Sequence, residues 1–233
     1  MPPSRSSEPP CDAAMSRDFI LGVDLDGVCG DYTAGFRAVV AADRQVDPET
    51  LVDARTWDFA EWGITGPEEF DRLHRLAVLE HHMFRTMPAL PGVAESLWRL
   101  SDAGVWIRII THRLCVNWGH AVAVADTVAW LDDTGIPYRD ICFLGAKPEV
   151  EADAYVDDAA HNVEALRAAG NAVIVFDAPY NQAVEGPRAS TWAEVETLVL
   201  DLVSERGIPL QPTLPGLDEG ADRLTHRVTH PWG

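Results

Sequence analysis

The stretch FILGVDLDGVCGDY, residues 19–32, carries an apolar run straight into two carboxylates two positions apart, Asp24 and Asp26. Alternate residues leaving a strand point to the same side, so both can serve one pocket, and Gly27 permits the tight turn that follows. One carboxylate so placed can attack phosphorus to give an acyl phosphate, splitting one hard displacement into two easier steps. The other can protonate the leaving oxygen and then activate water. Three more motifs follow in order: RIITHR with Thr111, AKPEV with Lys147, and AYVDDAAHN with Asp157 and Asp158. Thr111 can hydrogen-bond an equatorial phosphate oxygen, and Lys147 can stabilise both phosphate and nucleophile. Lys147 is the only lysine in the chain, every other strong cation being an arginine. Aspartates crowded around one lysine repel one another unless a divalent cation joins them. Oxygen ligands beside phosphate favour Mg²⁺, with Asp24, Asp26, Asp157 and Asp158 as candidate ligands.

These residues need a scaffold that brings them together. Residues 19–24, 105–111, 141–144, 154–157 and 172–177 are short apolar runs ending in polar residues or turns, the pattern of strands buried on both faces. Helical stretches at 91–103, 119–134 and 161–169 each stop at a glycine. The alternation predicts an α/β fold with a doubly wound parallel sheet, whose ligands bind beyond the carboxyl ends of the strands. Between the first two strands lies a long detour, read as a helical cap over 33–88, with one helix in PEEFDRLHRLAVLEHHMF placing Phe70, Leu73, Ala77 and Phe84 on one face. The catalytic core is then 18–32 with 89–204. Residues 1–17 read as a disordered tail, with Met15 a candidate start, and 205–233 as an irregular one.

Composition sets the outer limits. A chain of 233 residues that is 47% hydrophobic buries a substantial core. A formal charge of −19 repels nucleic acid polymers and anionic membranes, yet one cationic pocket or metal still admits a small phosphorylated substrate. No apolar run is long enough to span a bilayer. The cysteines Cys11, Cys29, Cys115 and Cys142 lack C-x-x-C spacing and suit a reducing, cytoplasmic location. A homodimer is compatible with this composition.

The four motifs, in this order, resemble the haloacid dehalogenase superfamily of phosphohydrolases, and the position of the inserted helices resembles that superfamily's first cap type. In the common form of the last motif an acidic metal ligand is followed four residues later by another Asp; here Asp158 and Asn162 fall at those places, which favours Asp158 over Asp157 as the ligand. A narrower resemblance, to the 5'(3')-deoxyribonucleotidases, rests on DLDGVCGDYTAGF, the tryptophan-bearing cap, KPEVEADAYVDD, YNQ and RASTW. It implies a nucleoside monophosphate substrate, a cap that opens and closes, and Tyr32 at the place of an aromatic lining the base pocket. Where those enzymes usually carry a small residue and proline after the threonine, this chain has His112 and Arg113.

On the substrate side the candidates are Gly27, Tyr32, His112, Trp57 and Phe59. Trp57, Phe59 and Trp62 either stack on a base or form the core of the cap. His112 either faces phosphate or is structural, and Arg188 and Trp192 either close the C-terminal helix over the sheet or reach the site. His81 and His82 lack zinc-site spacing and are expected on a solvated helix face. Two other readings remain beside a nucleotidase: a phosphatase of sugar phosphates or other small phosphomonoesters, and a non-catalytic regulatory protein on the same scaffold.

Overall fold

The structure, a computed structural model, describes residues 18–114 and 118–210. The expectations for 1–17, for Cys115 and for 211–233 lie outside the described residues.

Six parallel strands form one sheet: β1 (Ile20–Val23), β2 (Trp106–Thr111), β3 (Asp140–Phe143), β4 (Ala154–Asp157), β5 (Ala172–Phe176) and β6 (Arg188–Ala189), in the order β3-β2-β1-β4-β5-β6. The helix α4 (Val93–Asp102) leads into β2, α5 (His120–Thr134) joins β2 to β3, α6 (Ala160–Ala168) joins β4 to β5, and α7 (Trp192–Glu205) follows β6. All of β4 is buried and β1 nearly so, as the uninterrupted apolar runs require. Two sequence expectations need correction here. β3 is an edge strand of intermediate burial, not a doubly buried one. β6 went unassigned because two residues of RAST carry no apolar period; it is held by pairing with β5 and by Arg188, which donates to Asp177, Asn181 and Val184. No helix among the described residues is long and apolar enough to cross a membrane.

Between β1 and β2 run α1 (Tyr32–Arg44), two single-turn 3₁₀ segments at Pro48–Thr50 and Ala60–Trp62, α2 (Gly66–Leu79) and α3 (Met83–Thr86). Asp31 caps α1, its side chain accepting from the Ala34 N–H at 2.9 Å. The single helix read through residue 84 is in fact broken. α2 stops at Leu79, and His82 takes a left-handed backbone, φ 49°, while its Nδ1 pairs with Asp126 of α5 at 2.8 Å. His81 and His82 are both exposed, as expected, but His82 stands at the break rather than on a helix face and ties this segment to α5. Phe84 still reaches the interior, because α3 restarts beyond the break.

Candidate active site

β1 lies between β2 and β4, so the carboxyl ends of all three open on one crevice. Asp24 follows β1, anchored where its N–H donates to the Val156 carbonyl at 3.1 Å. Thr111 ends β2, fully buried; Asp157 ends β4 and Asp158 follows it. Lys147 opens a 3₁₀ turn in the β3–β4 connection, and its ammonium, with the residue only 2% exposed, bridges Asp24 Oδ1 at 2.8 Å and Asp157 Oδ2 at 2.6 Å. Asp24, Asp157 and Asp158 each offer a carboxylate oxygen within 4.8 Å of the others.

The charges at this cluster set its chemistry. Burial pushes the Asp24 carboxyl up to about 7; Lys147 opposes the rise, while Asp157 and Asp26 add to it. Burial, with Asp24 and Asp157, also raises Asp158 well above the carboxylate range. For Lys147 burial alone would favour the neutral amine, but Asp24 and Asp157 outweigh it and hold the ammonium above the usual lysine range. Asp157 is saturated: beyond Lys147, it accepts from the Ala159 N–H at 2.9 Å and from the Asn162 amide at 3.2 and 3.3 Å. Asp158 is not. One oxygen accepts from the Tyr180 hydroxyl, and Oδ1 is buried with no partner. An orphaned buried carboxylate oxygen beside a second carboxylate fits a hard cation, and it distinguishes Asp158 from Asp157 as the open ligand. The role of Asn162 is then to hold Asp157.

The carboxylate of Asp26 lies outside that group of three. Both its oxygens are taken by Arg113, from Nε at 3.1 Å and Nη2 at 2.7 Å. Arg113 is itself fixed, donating to Thr127 at 2.9 Å with its guanidinium 4.2 Å from the Phe84 ring centre. Sequence reasoning noted this arginine only as a departure from pattern; its position two residues past a strand-end threonine was the available signal. Gly27 has φ +82°, and an added Cβ would lie 2.1 Å from Asp158 Oδ2 and 2.9 Å from the Tyr180 hydroxyl. Gly27→Ala should therefore cost about 1–2 kcal/mol from the left-handed backbone alone and, by displacing Asp158, at least about tenfold in activity. Thermal melts and phosphate release would check the two effects separately.

A cavity of about 230 Å³ opens over these groups. Of the residues expected at the site, Asp24, Asp26, Gly27, Tyr32, Trp57, Phe59, His112 and Asp158 line it, whereas Thr111, Lys147 and Asp157 do not. Phe70, His74, Phe84, His161 and Tyr180 also line it, and sequence reasoning assigned none of them to the site. Phe70 and His74 are four apart on α2, the spacing of one helix face. Trp62 is core, stacked on Phe59 at 4.7 Å with its indole N–H donating to the Val52 carbonyl. Phe59 lines the cavity from a left-handed backbone, φ 54°, a strained setting for a bulky residue and one that recurs at functional sites. Trp57 is half-exposed and meets Tyr180 and His161 edge-on, at 5.2 and 5.7 Å. Trp192 lies outside the cavity lining but braces the site's loop, its indole N–H donating to the Val28 carbonyl at 2.9 Å.

The same fold occurs in solved hydrolases. A haloacid dehalogenase family hydrolase from Deinococcus radiodurans, solved with bound phosphate and sodium, aligns with a TM-score of 0.56 at 18% identity, over 85% of this chain and 99% of its own. A haloacid dehalogenase-like hydrolase from Streptococcus pneumoniae gives 0.55 at 15% identity, over 78% and 98%. The architecture is thus that of the haloacid dehalogenase hydrolases. Residues 18–206 match the family model described as "5' nucleotidase, deoxy (Pyrimidine), cytosolic type C protein". A relative from Chlorobaculum tepidum, named "Putative 5'(3')-deoxyribonucleotidase", is 42% identical over 191 residues, 82% of this chain and 95% of its own length. A 5'(3')-deoxyribonucleotidase from Bacillus subtilis is 23% identical over 188 residues, 78% and 98% of the two chains. The chain belongs to this nucleotidase family and is a phosphoric monoester hydrolase.

Proposed function

We propose that this chain is a Mg²⁺-dependent phosphatase of (deoxy)nucleoside monophosphates that works through an aspartyl phosphate on Asp24. One observation carries the reading: a buried carboxylate held by the chain's single lysine faces an aromatic-walled cavity beside a second carboxylate with an unpaired oxygen. Family membership and the names of the relatives support the nucleotide as substrate.

In this scheme an Asp24 oxygen forms a bond to phosphorus as the ester oxygen departs with a proton from Asp26. Water then attacks phosphorus, Asp26 takes its proton, and phosphate leaves with the Asp24 carboxylate restored. Lys147 orients Asp24 and opposes its protonation. Thr111 holds a phosphate oxygen. Arg113 grips both oxygens of Asp26, so the donor step requires one of those bonds to be released. Asp24 and Asp158, with Asp157 beside them, would hold Mg²⁺, which when bound supplies positive charge to offset the carboxylates and the phosphoryl group. Residues 33–88 act as a cap over the core segments 18–32 and 89–204, closing to exclude water. Trp57, Phe59 and Tyr32 line the nucleoside side, and His112 faces the phosphate. The sparse cysteines support a cytoplasmic setting for the reaction.

The test is a phosphate-release screen across ribo- and deoxyribonucleoside 5'- and 3'-monophosphates beside sugar phosphates. Clear preference for nucleotides is expected, and equal or better turnover of sugar phosphates would overturn the substrate. Chelation should stop hydrolysis, with recovery on adding Mg²⁺; activity persisting in chelator would remove the metal from the scheme.

A further inference from the structure

Four buried polar side-chain atoms among the described residues lack a hydrogen-bond partner: Arg37 Nε, His74 Nε2, His112 Nε2 and Asp158 Oδ1. Three of these belong to residues lining the cavity. A folded protein pairs nearly all its buried polar groups, so an unpaired atom on a cavity wall is a candidate to meet a ligand there. Asp158 and His112 adjoin the strand ends, on the phosphate side. His74 sits elsewhere, on α2, boxed by the rings of Tyr32, Phe70, Phe84 and Trp118 with centroids 5.6–6.1 Å away.

The geometry points to His74 as the residue that reads the nucleobase, its Nε2 hydrogen-bonding the polar edge of the base that the surrounding aromatic walls receive. This rests on the nucleotide reading above and names the residue that would enforce it. Burial holds the imidazole below the usual histidine range, so at neutral pH it is uncharged and Nε2 serves as donor or acceptor according to tautomer. A base offers both kinds of partner on the edge of a flat ring that aromatic walls can receive; a bare sugar phosphate has hydroxyls but no such ring. A site built to hydrogen-bond its substrate rejects an analogue lacking the group, because its own buried atom is left unpaired.

The experiment compares kcat/KM for dUMP with that for 2-deoxyribose 5-phosphate, in the wild type and in His74→Phe. Phenylalanine keeps the aromatic contacts and removes the nitrogen. The wild-type ratio should exceed unity by a wide margin and fall at least about tenfold in the variant. The same ratio read on His74→Leu guards against a variant that fails to fold. A ratio unchanged by either substitution, even with both rates reduced together, means His74 is merely structural and overturns the inference. A wild-type ratio near one would instead sink the nucleotide reading itself, and the assignment of His74 with it.

Discussion

Asp24→Asn should abolish turnover, by about four orders of magnitude or more, in a protein that keeps its fold and melts no lower than the wild type. The amide preserves the shape of the carboxylate and can still accept from Lys147, but it cannot form the acyl phosphate. The stability half of the expectation follows from burial. Asp24 has its carboxyl pushed from 3.8 up to about 7, chiefly by desolvation. Between those values the native chain binds a proton that the unfolded chain has released, so the stability of metal-free protein falls as pH rises from about 4 to 7. Asparagine never ionises, and the variant should lose Asp24's share of that slope, the remainder coming from Asp158, which burial also raises. Phosphate release measures the first effect, and melts in chelator across that pH window measure the second. Turnover above about one per cent would count decisively against Asp24 as nucleophile, and an unchanged pH slope would count against its burial as the source of the instability.

How much of this was legible in the chain depends on the range of the forces involved. The five longer strands, and the convergence of Asp24, Thr111, Asp157 and Asp158, follow from apolar runs ending in polar residues, a local pattern. β6 escaped because its two residues are held by pairing and by Arg188, not by their own sequence. The break after α2 escaped for the same reason: His82 adopts a left-handed backbone in contact with Asp126, forty-four positions along the chain. At the site, spacing aimed Asp26 at the pocket but gave no sign that the arginine eighty-seven residues away claims its carboxylate. His74 and Tyr180 belong with the same group. Each is ordinary in its local context and becomes informative only where folding brings it to the cavity wall.

Lys147→Met should cost the metal-free protein about 3–5 kcal/mol, the usual penalty for removing one partner from a buried charge cluster. The ammonium is almost wholly buried and sits between Asp24 and Asp157, with Asp158 part of the same cluster. Without it, three carboxylates share a dehydrated site with no fixed positive charge. Two consequences separate this from simple loss of packing. First, Mg²⁺ should restore part of the stability, more in the variant than in the wild type, because the added charge meets a larger deficit. Second, the double variant with Asp24→Asn should be more stable than Lys147→Met alone, since one of the stranded carboxylates is gone and the two sites share a single interaction. Denaturant titrations of the four proteins, with chelator and with Mg²⁺, give both readings. A Lys147→Met protein as stable as the wild type in chelator would mean the aspartates are relieved by protonation alone, and the lysine would then be needed for phosphate but not for the fold.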